Sequence, residues 1–124
     1  MEFVEAPAFT RHLADYLDDD SYRALHNLLA ENPEAGDVMP GAGGFRKLRW
    51  ADPRRGKGRR GGLRVIYYYF LSDWQIWLVA IYDNNEAQDL TPAEKRALKN
   101  AIADELDARK ARQSARESRT RRRT

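Results

Sequence analysis

Residues 41–70 read GAGGFRKLRWADPRRGKGRRGGLRVIYYYF. Alternation over Phe45–Trp50 predicts a strand with Lys47 and Arg49 on one side and Arg46, Leu48 and Trp50 on the other. Leu63–Leu71 and Trp74–Tyr82 are rich in β-branched and aromatic residues and predict two further strands, joined at Ser72-Asp73. Their continuous apolar character predicts burial on both faces. Between the first two strands, Asp52–Gly62 is a polar, basic connection too long for a tight turn.

Upstream, Phe3–Glu5 reads as a short first strand. Pro7 suits the first turn of a helix, in which Phe9, Leu13, Tyr16 and Leu17 recur at helical spacing. Asp18–Asp20 with Ser21 end that helix and cap a second, whose apolar residues are Tyr22, Leu25, Leu28 and Leu29. Asn32-Pro33 closes it, so the pair reads as a helical hairpin. Gly36–Gly44 reads as a loop by its four glycines and Pro40. Downstream, Thr91-Pro92-Ala93-Glu94 is a capping box before a helix striped by Leu98, Ile102 and Leu106. The fold class is therefore α+β, in the order β-α-α-β-β-β-α. The expectation is a small antiparallel sheet, the N-terminal helical hairpin on one face, and a C-terminal helix. Residues 1–108 form the domain. Residues 109–124, with alanine as their only apolar type, read as a disordered or weakly helical basic tail.

The net charge of +3 conceals an uneven distribution. Residues 1–45 carry two basic and nine acidic side chains, residues 46–64 nine and one, residues 65–108 three and eight, and residues 109–124 eight and one. An acidic body thus bears one cationic stripe and one cationic tail, which points to an anionic partner. Keeping an edge strand soluble accounts for basic residues in a turn, namely Arg54, Arg55, Lys57, Arg59 and Arg60. It accounts less well for Lys47, Arg49 and Arg64 inside apolar strands. The extended anion that suits them is a phosphodiester backbone, with the turn cations as further contacts. Tyr68 falls on the Arg64 side of its strand and is a candidate for stacking on a base, whereas Tyr67 and Tyr69 read as core.

Other chemistries find little support in the residues. There is no cysteine, which fits a reducing, cytoplasmic setting and removes thiolate metal sites. His12 and His26 stand apart on separate helices and give no zinc signature. The Asp18–Asp20 run lacks the spacing of a calcium loop. Gly36–Gly44 lacks the Gly-Lys-Ser/Thr ending of a phosphate-binding loop and leads into a strand. No metal or cofactor is expected. No apolar run approaches the ~18 residues of a membrane span, and the N-terminus lacks a cationic leader.

Four pieces in order resemble a HigB-type toxin of the RelE/ParE superfamily of type II toxin–antitoxin modules. They are GDVMPGAGGFRKLRW (36–50), the basic turn, GGLRVIYYYF (61–70) and LVAIYDNNEAQDLTPAEK (78–95). The resemblance covers roughly residues 2–106. It implies ribosome-dependent, metal-independent endonucleolytic cleavage of mRNA in the A site. It also implies a cognate antitoxin, of helix-turn-helix type, with the toxin alone monomeric. By position, Lys47 and Arg49 match the basic pair before the hairpin, and Arg64 matches the arginine opening the next strand.

The resemblance places Arg49 and Arg64 as a phosphate clamp. Lys47, set among cations, suits the base or a charge stabiliser, and Tyr82 or a residue of the basic turn is a candidate acid in place of the family's missing donor. The RelE branch carries an arginine after the last strand, where Asn85 stands here, and a tyrosine in the region that here reads Asp89-Leu90-Thr91. The ParE branch keeps the scaffold without the catalytic set and inhibits DNA gyrase by protein binding, which is the alternative reading. The tail reads either as an electrostatic contact to ribosomal RNA or as a solubilising extension.

Overall fold

The computed structural model describes residues 1–50, 62–83 and 90–123. Arg54, Arg55, Lys57, Arg59, Arg60, Asn85 and Asp89, singled out in the sequence, lie outside the described residues. Strand β1 (Glu2–Glu5) is followed by helices α1 (Pro7–Tyr16) and α2 (Asp19–Glu31). Then come β2 (Asp37–Val38), β3 (Arg46–Trp50), β4 (Leu63–Phe70), β5 (Gln75–Asp83) and helix α3 (Pro92–Arg123). The strands form one sheet in the order β1-β5-β4-β3-β2. The α+β class expected from the sequence is what the structure has.

Local chemistry sets the helix boundaries. Pro7 opens α1, and Asp18 caps α2, its carboxylate accepting from the Ser21 N–H at 2.8 Å. Asp19 and Asp20 lie in the first turn, where the helix dipole favours negative charge. At α3 the capping box closes in both directions. The Glu94 N–H donates to Thr91 Oγ1 at 3.1 Å and the Thr91 N–H to Glu94 Oε1 at 3.0 Å. Hydrogen bonds from the Thr91 N–H and then its side chain hold the Glu94 carboxyl below its ordinary pKa.

The sheet carries a core on each face. On one side α1 and α2 bring Phe9, Leu17, Leu25 and Leu29 against Leu48, Leu63, Val65, Tyr67, Ile76, Leu78 and Ile81. On the other, α3 places Ile102, with Leu98 and Leu106, over Ile66, Phe70, Phe45 and the loop residues Met39 and Ala42. Burial on both faces of β4 and β5 follows from their nearly unbroken apolar composition. Gly43 has φ +69, and a Cβ there would lie 2.9 Å from both Lys99 Cα and Ile102 Cγ2. Its missing side chain is what lets α3 sit down on this loop.

Four expectations are corrected. The sheet is mixed rather than antiparallel, because β1 pairs with β5 in parallel. The helical hairpin carries the chain away from β1 at one edge. The meander β3-β4-β5 then brings β5 back beside β1, running in the same direction. Second, the glycine-rich segment is not wholly loop: Asp37 and Val38 pair with Lys47 and Arg46 as β2. Third, the connection between β4 and β5 spans residues 71–74, and Trp74 takes a left-handed backbone with φ +49. Fourth, residues 109–123 continue α3 as helix. Alanine, arginine, lysine, glutamine and glutamate are good helix formers, so the tail needs no apolar face to extend a helix already nucleated. Arg109 belongs to the domain itself. It lies over the Phe70 ring at 3.7 Å and bonds Asp73, Gln75 and Glu105.

Tyr67 ties the loop after α2 to the sheet. Its buried hydroxyl donates to the Pro33 carbonyl at 2.8 Å and accepts from the Gly36 N–H at 2.9 Å. Burial pushes the phenol up, more than the Gly36 bond and Arg46 pull it down. Tyr67→Phe should destabilise the fold by about 1–3 kcal/mol, since two buried backbone groups lose their partner. Urea unfolding checks this, and an unchanged midpoint would refute it.

His26 stacks on Phe3 at 4.0 Å and leans on Tyr22, while Tyr22 donates to Glu5 at 2.6 Å. Burial holds the imidazole pKa below its ordinary value, against a smaller opposing pull from Glu5. Its contribution is therefore intact above about pH 6.5 and is lost as pH falls through the lower folded value. The unfolding free energy should drop between pH 7 and pH 5, and His26→Phe should remove part of that drop. An identical pH profile in the variant would contradict this.

Candidate nucleic-acid interface

The basic site is built by cross-strand register. Arg49 on β3 stands directly opposite Arg64 on β4, and Arg64 stands opposite Tyr82 on β5. One residue pair along the same face, Lys47 is opposite Ile66 and Ile66 opposite Ala80. Lys47, Arg49, Arg64 and Tyr82 therefore share one face, as two adjacent rows. Arg46, Leu48 and Trp50 turn to the other face, where Arg46 donates to the Glu34 and Gly36 carbonyls at 3.3 and 2.8 Å. The division expected from alternation in Phe45–Trp50 holds.

Tyr82 reaches this face through an irregularity. A regular period of two counted from Ile76 would put Tyr82 with the α1–α2 core and Asp83 with the arginines. The register shifts by one residue opposite Ile66/Tyr67, so Val79 and Ala80 both turn toward α3. Beyond that bulge the phase is reversed, and Tyr82 joins Arg64 while the fully buried Asp83 stands opposite Leu63. Bulges commonly re-aim a side chain beside a site in this way. Asp83 was not singled out by sequence reading, because its burial follows from the bulge, and the period-2 pattern carries no sign of it.

The four side chains differ in access. Arg49 is exposed, Lys47 and Tyr82 are half-buried, and Arg64 is only 5% exposed. The Arg64 guanidinium turns back on its own strand end, Nη1 donating to the Gly62 and Leu63 carbonyls at 3.1 and 3.4 Å. No carboxylate among the described residues ion-pairs with it. These carbonyls hold the guanidinium in position at the strand end, directly across from Arg49. Like charges directly opposite on one face repel, and an anion bound between them relieves this.

Tyr68 lies farther along the same face. Its ring meets Phe45 at 5.3 Å and Phe70 at 4.7 Å, and Gly44 passes beneath it, where a Cβ would lie 3.1 Å from Cε2. It is half-buried and packs with the α3-side core rather than in the row of cations. Among the described residues no three histidine, cysteine, aspartate or glutamate side chains are grouped to hold a metal ion, and no helix is long and apolar enough to cross a membrane. No protein-family model matches the chain.

Arg49→Glu should separate stability from binding. Replacing repulsion by attraction across the Arg49–Arg64 pair should leave the fold unharmed or stabilise it by about 0.2–1 kcal/mol, at the low end because Arg49 is exposed. The same change should weaken binding to a short RNA oligonucleotide by about tenfold or more. Urea unfolding and fluorescence anisotropy read the two effects. A destabilised variant with undiminished RNA binding would contradict the arrangement.

Proposed function

We propose that this chain is the toxin of a type II toxin–antitoxin module, a ribosome-dependent endoribonuclease that cuts mRNA in the A site. The observation that carries this reading is the pairing of Arg49 with Arg64 on one sheet face, with Lys47 and Tyr82 beside them. Two arginines set opposite each other, with neither ion-paired to a carboxylate among the described residues, suit a phosphate carrying two charges in its transition state.

The reaction is an internal displacement. The RNA 2′-hydroxyl attacks the adjacent phosphorus, and its proton passes to Lys47 or, where Lys47 serves only as a charge, to solvent. The phosphorus–O5′ bond breaks, and the departing 5′-oxygen takes a proton from Tyr82. The products are a 2′,3′-cyclic phosphate and a 5′-hydroxyl. Arg49 and Arg64 stabilise the dianionic phosphorane between attack and departure. The ribosome supplies what the protein lacks, the in-line geometry of the mRNA. A bound antitoxin, of helix-turn-helix type, restrains the protein in the cell, which is its cytoplasmic setting.

The burial of Arg64 favours a second reading, in which the same face is a docking surface of a ParE-like gyrase inhibitor and Arg64 braces the strand end. Induced expression followed by mapping of transcript ends separates the two. The nuclease reading expects cuts in register with codons that vanish when translation is blocked. DNA breaks and gyrase inhibition with intact transcripts would favour the second. On the first reading, Arg49→Ala and Arg64→Lys, each folded, should slow cleavage on purified ribosomes by about 10²–10³. Arg64→Lys keeps the charge but loses the fork, so an undiminished rate would remove Arg64 from the chemistry.

A further inference from the structure

Helix α3 changes character along a single stripe. Leu98 and Ile102 face the sheet and belong to its second core. At the same alternating intervals of four and three come Glu105, Arg109, Arg112, Arg116 and Arg119. Such spacing keeps residues on one side of a helix, with a drift of about 20° per seven residues. The side that is apolar over the sheet thus becomes arginine past its end. Arg109 marks the junction, clamped on the Phe70 and Trp77 rings and bonded to Asp73, Gln75 and Glu105. This anchor fixes the direction in which the rest of the helix leaves the body.

Beyond it, residues 110–122 are exposed throughout. Arg112 meets Glu105 at 3.3 Å, while Arg116 and Arg119 ion-pair with no carboxylate among the described residues. The stripe from Arg112 to Arg119 spans about 10 Å of helix axis. It holds arginine alone, whereas Lys110, Arg121 and Arg122 lie on other sides. A protein interface builds its core from apolar and aromatic groups and keeps charge to the rim, and this stripe has no such group. Arginine forks without apolar neighbours suit consecutive phosphates of a nucleic-acid backbone.

We propose that residues 112–119 of α3 form an arm that docks its arginine stripe on an RNA phosphate backbone, at a site separate from the cationic sheet face. The inference rests on the reading of the chain as an RNA-acting protein, and it makes the tail directional: one side of the helix binds and the others do not.

The test uses the full-length chain and a fluorescein-labelled RNA hairpin, with affinity measured from low to moderate salt. R112Q/R116Q/R119Q is compared with K110Q/R121Q/R122Q, which removes the same charge from the other sides. Glutamine is a good helix former, and far-UV circular dichroism verifies that both helices persist. The stripe variant should bind at least tenfold more weakly, with the salt slope reduced by about two, since each phosphate contact contributes about 0.7–0.9. The control should lose less than threefold.

Equal losses in the two variants would mean bulk charge only, and no loss in either would mean no arm; both overturn the proposal. Polyglutamate competing as well as RNA at equal charge would also overturn it, in favour of an acidic protein partner. The affinity readout is independent of cleavage. A failure of the nuclease reading would appear in the transcript mapping and leave these affinities unchanged.

Discussion

Strand β4 must bury both of its sides at once, and the rest of the architecture follows from that demand. Leu63, Val65 and Tyr67 face the helical hairpin, while Ile66 and Phe70 face α3, so a helix layer is needed on each side. Arg64 occupies the first position on the α3 side. There it is drawn into the protein by its apolar neighbours, and among the described residues its guanidinium bonds backbone carbonyls. A buried charge is expensive unless it is compensated, and an anion bound at this end of the strand, as proposed, would compensate it. The site therefore comes from the same alternation that makes the core.

The neighbouring strands sharpen this. β3 sets Arg49 against Arg64, and the bulge in β5 swings Tyr82 into the same row. The row sits where apolar pairings give way to polar ones. Farther along the face, Phe45, Tyr68 and Trp77 pack together and close the sheet against solvent. A sheet so held fixes the backbone positions of Arg49 and Arg64, and two strand-end carbonyls hold the Arg64 guanidinium in place.

Much of this was legible before the structure. The helix caps at Asp18 and Thr91 are written in side chains that bond their own backbone, so local sequence suffices to find them. Strand alternation suffices to put Lys47 and Arg49 on one side of β3, whereas the pairing of Arg49 with Arg64 depends on the β3–β4 register. The parallel pairing of β1 was not legible, because it depends on where a distant strand returns. Tyr82 entered as a substitute for the proton donor that the resemblance leaves missing, and its face depends on a one-residue bulge with no glycine or proline to announce it. The tail was left between disorder and weak helix because its composition satisfies both descriptions equally. Helix formers without an apolar face are disordered when free and helical when they continue an anchored helix, and Arg109 decides between the two.

The most direct measurement follows the arginine side-chain Nε–H resonances of the isotopically labelled protein during titration with a short RNA. The RNA carries a 2′-deoxy substitution at each position, so that internal attack cannot occur. If the sheet face is a phosphate site, the Arg49 and Arg64 signals shift together and saturate at one RNA equivalent, and Arg49→Ala weakens the Arg64 response. If only arginines of the α3 extension respond while Arg49 and Arg64 stay unmoved, the sheet face is not where RNA binds.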